Sequence, residues 1–133
     1  MRARTIIAAY YEAFNRQDMD AFMALLHESV VHDINQDGRQ EGKEAFAAFM
    51  AHMNACYREE LTDIVIMESE DGTRGAAEFT VHGRYLATDE GLPEAKGQSY
   101  VLPAGAFFEI RDDKVARISN TYNLNDWIAQ VSR

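Results

Sequence analysis

One cysteine, Cys56, stands in 133 residues. That excludes an intrachain disulfide, so the core must form without covalent staples, which a chain of this length can manage. With no disulfide to preserve, a reducing cytoplasm is the expected setting. No Cys or His pair is read at a zinc-ligand spacing. His27, His52 and His82 read as surface or interface histidines, so neither metal nor cofactor is expected. Long apolar runs are missing too, and none approaches the roughly 20 residues that cross a bilayer. The opening stretch, MRARTIIAAYYEAF, reads as an amphipathic helix rather than a signal peptide. Positive charge is scarce: 13 Lys and Arg face 22 Asp and Glu, for a formal net charge of −9. Phosphate backbones want a basic surface, so no nucleic acid is expected as a partner, and no membrane either. Repeats and linkers are absent, and residues 1–133 read as one domain.

What is present has clear periodicity. In residues 3–14, Ile6, Ile7, Tyr10 and Phe14 recur at helical spacing. Asn15-Arg16-Gln17-Asp18 breaks that helix, and Asp18 can cap a second one over 19–26. A strand over 29–35 ends at the turn signal Gln36-Asp37-Gly38. A third helix, 42–56, carries Phe46, Phe49, Met50 and Met53 on one stripe. Beyond it the text turns strand-like, at Leu61, Ile64, Ile66 and Met67, then over 75–86, 98–110 and 115–122. Asn125 or Asp126 can cap a short helix reaching Gln130. Helices segregated from an antiparallel meander predict an α+β class, with three N-terminal helices packed on a strongly curved, mostly antiparallel sheet shaped as a cone.

The segments YYEAFNRQDMDAFMALL, VVHDINQDGRQEGKEAFAAF, AAEFTV and DDKVARISNTYN resemble the nuclear transport factor 2-like superfamily, in its ketosteroid isomerase-related and SnoaL-like branch. The resemblance covers nearly the whole chain and implies a site. Tyr10, ahead of Asn15-Arg16-Gln17-Asp18, matches the family's first-helix tyrosine, an oxyanion donor. Asp33, ahead of Arg39 and Gly42, matches its general base. At the family's third position, an Asp after a Pro, stands Gly105, and Asn123 stands where the SnoaL-like branch often has an Asp. Proton transfer beside a carbonyl needs a base in reach of a weakly acidic C–H and a donor on the oxygen where charge develops. In an apolar cone, desolvation would raise the carboxyl pKa and make Asp33 a stronger base.

Strand alternation groups Val31, Asp33 and Asn35 on one face and Val30, His32 and Ile34 on the other. If Asp33 enters the cone, His32, the rival base, faces away. The family's register turns Ile118, Asn120 and Tyr122 inward, together with Val101, Pro103, Gly105 and Phe107. Phe79 and Val81 then form the pocket wall, with Phe49 and Met53 from the third helix. Asn120 is a candidate replacement for the donor missing at Gly105. Val30, Ile34 and Phe108 are left on the outer face, where the resemblance implies a homodimer. Three functions follow from these residues. The first is a cofactor-independent isomerase-type enzyme acting on a small hydrophobic, steroid- or polyketide-like carbonyl compound. The second is a non-catalytic binder of such a molecule. The third is a dimerising interaction domain with a filled cavity.

Overall fold

The computed structural model describes residues 1–133. Helix α1 (Ala3–Arg16) buries Ala3, Ile6, Ile7, Tyr10, Tyr11 and Ala13. It stops where Gln17 takes a left-handed conformation. Asp18 then caps α2 (Met19–Ala24), its carboxylate accepting from the Ala21 N–H at 3.1 Å. Strand β1 (Leu26–Ile34) turns back into β2 (Gly38–Glu41), a short strand where the sequence suggested only a turn. Helix α3 (Lys43–Cys56) runs directly into β3 (Tyr57–Glu68), and β4 (Arg74–Tyr85), β5 (Ser99–Arg111) and β6 (Lys114–Tyr122) complete the meander. Helix α4 (Leu124–Val131) is capped by Asn123, which accepts from Asp126 N–H at 3.0 Å, and not by Asn125 or Asp126. Asn123 therefore has a structural task at the place of the family acid.

The six strands form one sheet in the order β2-β1-β6-β5-β4-β3. All neighbours are antiparallel except β1 and β6, which run parallel. This is the expected α+β cone, an unclosed curved sheet with helices on its concave side. Beyond the end of β6 the edge of β5 is free. There the Gln130 amide of α4 receives Val101 N–H at 3.0 Å and donates to Val101 C=O at 2.8 Å, standing in for a strand. No helix is long and apolar enough to cross a membrane.

Residues directly opposite on neighbouring strands share a face, so the register fixes which side chains enter the cone. One inner row is His32, Ile118, Phe108 and Gly75; the next holds Asn120, Ala106 and Ala77; then come Tyr122, Ala104 and Phe79. Farther down lie Leu102, Val81 and Leu61, then Tyr100, Gly83 and Glu59. The expected pairs of alternating residues hold, but on β1 and β5 the faces are reversed. Val30, His32 and Phe108 are fully buried core residues, not outer-face ones. Val101, Pro103, Gly105 and Phe107 point outward, and Phe107 is 54% exposed. Because the side-chain period is two, one residue of register exchanges every inside residue for an outside one. Desolvation decides the direction. A neutral imidazole can stack between rings, whereas an ionised carboxylate in the core costs far more than one on a surface with cations beside it.

Candidate functional site

On the outer face, Asp33 is gripped by two arginines. Arg39 makes a fork, Nε at 2.6 Å and Nη2 at 3.0 Å, and Arg117 Nε adds a third bond at 2.8 Å. These guanidinium hydrogen bonds hold the Asp33 carboxyl below its ordinary range, opposite to the rise expected of a general base. Asn35 lies on the same side and donates to Ser119 Oγ at 3.0 Å and to the Asn120 carbonyl. Both residues line a polar, open cavity of about 440 Å³ at the β1–β2 hairpin. Asp33, Asn35 and Phe107 are thus outside the cone. A group whose folded pKa is depressed adds stability that is present above its ordinary pKa and lost as pH falls through the folded value. Asp33→Asn is therefore expected to flatten the acid limb of the stability–pH curve below the normal aspartate range. Urea melts at a series of pH values would read this, and an unchanged acid limb would contradict it.

Inside, the structure brings together the remaining expected residues. Phe79, Val81 and Ile118 are buried on the sheet, and Asn120 and Phe49 are half-buried; Met53, also half-buried, does not pack against the core, where α3 instead contributes Phe46 and Met50. Tyr10 is buried among the rings of Tyr11, Phe22 and Phe108. Burial raises its pKa, so it stays a neutral phenol. His32, 2% exposed, stacks on Phe46 at 4.5 Å and meets Phe49 edge-on at 4.7 Å. Its Nδ1 has no hydrogen-bond partner. Burial lowers its pKa to about 4, with Asp33 opposing the shift, so this imidazole is neutral near pH 7.

The sequence reading passed over Glu59. It shares the inner face of β3 with Tyr57 and Leu61. Its carboxylate accepts from the Tyr100 hydroxyl at 2.5 Å, and burial pushes its pKa above the usual carboxylate range. Trp127 of α4 packs beside this row, with its ring centroid 4.9 Å from Tyr85 and 6.0 Å from Tyr100. Partial burial of the Tyr122 hydroxyl, with the charges of Glu59 and Asp89 adding to it, raises its pKa, although the residue as a whole is 39% exposed. Inward-facing side chains that solvent still reaches (Tyr57, Glu59, Asn120, Tyr122) mark the open end of the cone. The signal was legible in the alternation of Tyr57, Glu59 and Leu61, one acid on an otherwise apolar face, provided the strand begins at Tyr57.

A family model, the SnoaL-like domain, matches residues 7–118. Among solved structures, one described as a "putative polyketide cyclase" from Pseudomonas putida KT2440 is 66% identical. It covers 98% of each chain with a TM-score of 0.97. A second of the same description, from Xanthomonas campestris pv. campestris, is 57% identical over 98% of this chain and 96% of its own, TM-score 0.94. A nuclear transport factor 2-like protein of unknown function from Burkholderia pseudomallei K96243, 17% identical over 98% of each chain with a TM-score of 0.76, shares the fold. No curated protein matches. With the family model spanning most of the chain and the curved sheet, helix order and inner face in place, the chain belongs to the SnoaL-like domain family, in the nuclear transport factor 2-like superfamily.

Proposed function

We propose that this protein is a cofactor-independent enzyme that moves a proton beside a carbonyl of a small hydrophobic, polyketide-like molecule held in the open end of the cone. The observation that carries the reading is Glu59, a carboxylate on the inner wall with a raised pKa and a tyrosine hydrogen bond. It takes the part of base that the resemblance gave to Asp33, whose outward, doubly paired carboxylate has no path to a ligand in the cone. Tyr122, a neutral phenol close enough to feel the Glu59 charge, is the candidate oxyanion donor in place of Tyr10, which is enclosed by rings deeper in the core. Asn120, Phe79 and Val81 share the inner face with it. The relatives described as polyketide cyclases support the substrate class.

The test is solvent-deuterium exchange, followed by proton NMR, at the carbon next to the ketone in a panel of aromatic β-keto compounds. Accelerated exchange that disappears in Glu59→Gln supports the reading. Ligands that bind without exchange would establish a binding module instead. That second reading is favoured by one observation: neither Asp33 nor Gly105, the family's acid positions, faces the cone.

A homodimer is also part of the proposal, through the outer sheet face but with residues other than those first expected. Phe107, Ala76 and Met67 form one outward row across β5, β4 and β3, and Val65 and Val101 are also exposed. Phe107→Asp is expected to convert dimer to monomer in light scattering after size exclusion. A wild-type monomer, or a variant that remains dimeric, would remove this face from consideration.

A further inference from the structure

Apart from the cone, three metal-ligating side chains meet where α3 ends. His52 and Cys56 are four residues apart, so they lie on one face of the helix, next to the loop that follows β4. That loop brings Asp89 against them. His52 Nε2 lies 2.8 Å from Asp89 Oδ1 and 3.9 Å from Cys56 Sγ, and all three donor atoms lie within 4.8 Å of one another. A tetrahedral zinc ion, bound at about 2.0–2.3 Å, holds its ligand atoms on the order of 3.3–3.7 Å apart. Reaching that geometry needs His52 and Asp89 to part by about half an ångström and Cys56 and Asp89 to close by up to about one, movements within reach of side-chain rotation. The sequence reading, which expected no metal, weighed histidine pairs and passed over the mixed pair His52 and Cys56.

We propose that His52, Cys56 and Asp89 form a binding site for one Zn²⁺ ion, with a fourth position open to water or a ligand. A nucleophilic relay is the other use of such a trio, and the geometry argues against it. A relay needs thiol and carboxylate on different imidazole nitrogens, whereas here both approach Nε2. Donors that converge on one point suit an ion. The carboxylate is also held in place from behind: Tyr57 donates its hydroxyl to Asp89 Oδ2 at 2.8 Å, and Asp89 N–H donates to the Tyr85 hydroxyl at 2.9 Å. Such outer partners fix the orientation of a ligand. Entry is from the His52 side, whose side chain is 55% exposed, while Cys56 closes the inner side. A nitrogen, a thiolate and one carboxylate oxygen suit zinc better than calcium or magnesium, which prefer all-oxygen sites.

The experiment is calorimetric titration of Zn²⁺ into the full, tag-free chain after chelator treatment, with Co²⁺ absorbance as a second readout. One ion per chain is expected, with a sulfur-to-cobalt charge-transfer band. His52→Gln, on the exposed helix end, is expected to weaken binding by more than about 10-fold, and Cys56→Ser to abolish the band. Tyr57→Phe is expected to weaken binding by roughly 10–100-fold, the usual effect of losing an outer partner. His27→Gln is expected to change nothing. No uptake, equal uptake by His52→Gln, or a cobalt complex without the thiolate band would each overturn the proposal.

Discussion

Glu59→Gln is expected to lower the rate of proton exchange in a bound ketone by roughly 10²–10⁴-fold, the usual contribution of a general base. The substitution keeps shape and a hydrogen-bond acceptor for Tyr100, and removes only the ability to take a proton. Folding should not suffer. A carboxyl whose pKa is raised by desolvation binds its proton more tightly in the folded chain than in the unfolded one, so stability falls as pH rises through the folded value. Glutamine mimics the protonated form and removes that slope. The variant is therefore expected to be at least as stable as the wild type near pH 7, with a flatter stability curve above the ordinary glutamate range. Tyr100→Phe offers a complementary readout. Its hydroxyl lowers the Glu59 pKa in opposition to burial, so its loss should push the Glu59 titration higher, read by carboxyl-resolved NMR. Exchange by Glu59→Gln at the wild-type rate would eliminate Glu59 as the base.

Phe108→Ala is expected to cost about 3–5 kcal/mol, the range for removing a fully buried phenylalanine. Phe108 meets Tyr10 at 5.3 Å and Tyr11 at 5.9 Å, both edge-on, beneath α1. Across the β4–β5 ladder it faces Gly75, where any side chain would run into Ile7 and the Met67 carbonyl. Domains of this kind are stable by only about 5–15 kcal/mol in total, so a large fall in the urea midpoint should result. Phe107→Ala, one residue away on the outer face, is the control, with an expected change within about 0.5 kcal/mol in the monomer. Equal losses for the two would contradict the inward assignment of the Phe108 row.

The elements themselves were readable, because helical and alternating periodicities report local geometry. Asp18 announced its cap, and Ile118, Asn120 and Tyr122 were assigned the correct face. Alternation sorts side chains into two sets but does not say which set is inside. On β1 and β5 the choice rested on resemblance, which placed the acid inward. The two guanidinium groups that reverse it are Arg39, just past a turn, and Arg117, 84 residues away. Only the second is beyond local reading. Glu59 escaped notice because α3 passes into β3 at Cys56–Tyr57 with no Gly or Pro to mark the start of the strand. Asp89 meets His52 across 37 residues of chain, a proximity made by the sheet rather than by any local pattern.

The parallel pairing of β1 with β6 also sets an order of events during folding. Strands β3 to β6 pair through hairpins and can zip from their turns, whereas Asp33 meets Ser119 only after a long stretch of chain has been ordered. The β1–β2 hairpin is therefore expected to dock last, seating His32 against Phe46 and Phe49 at that step; pulse-labelled hydrogen exchange with β1 amides protected as early as those of β4 and β5 would contradict this. On that order, the closing of the aromatic core and the locking of the Asp33–Arg117 bridge would fall in one late event. Until it occurs, the newly made edge of β6 is the surface through which a half-folded chain would meet another copy of itself.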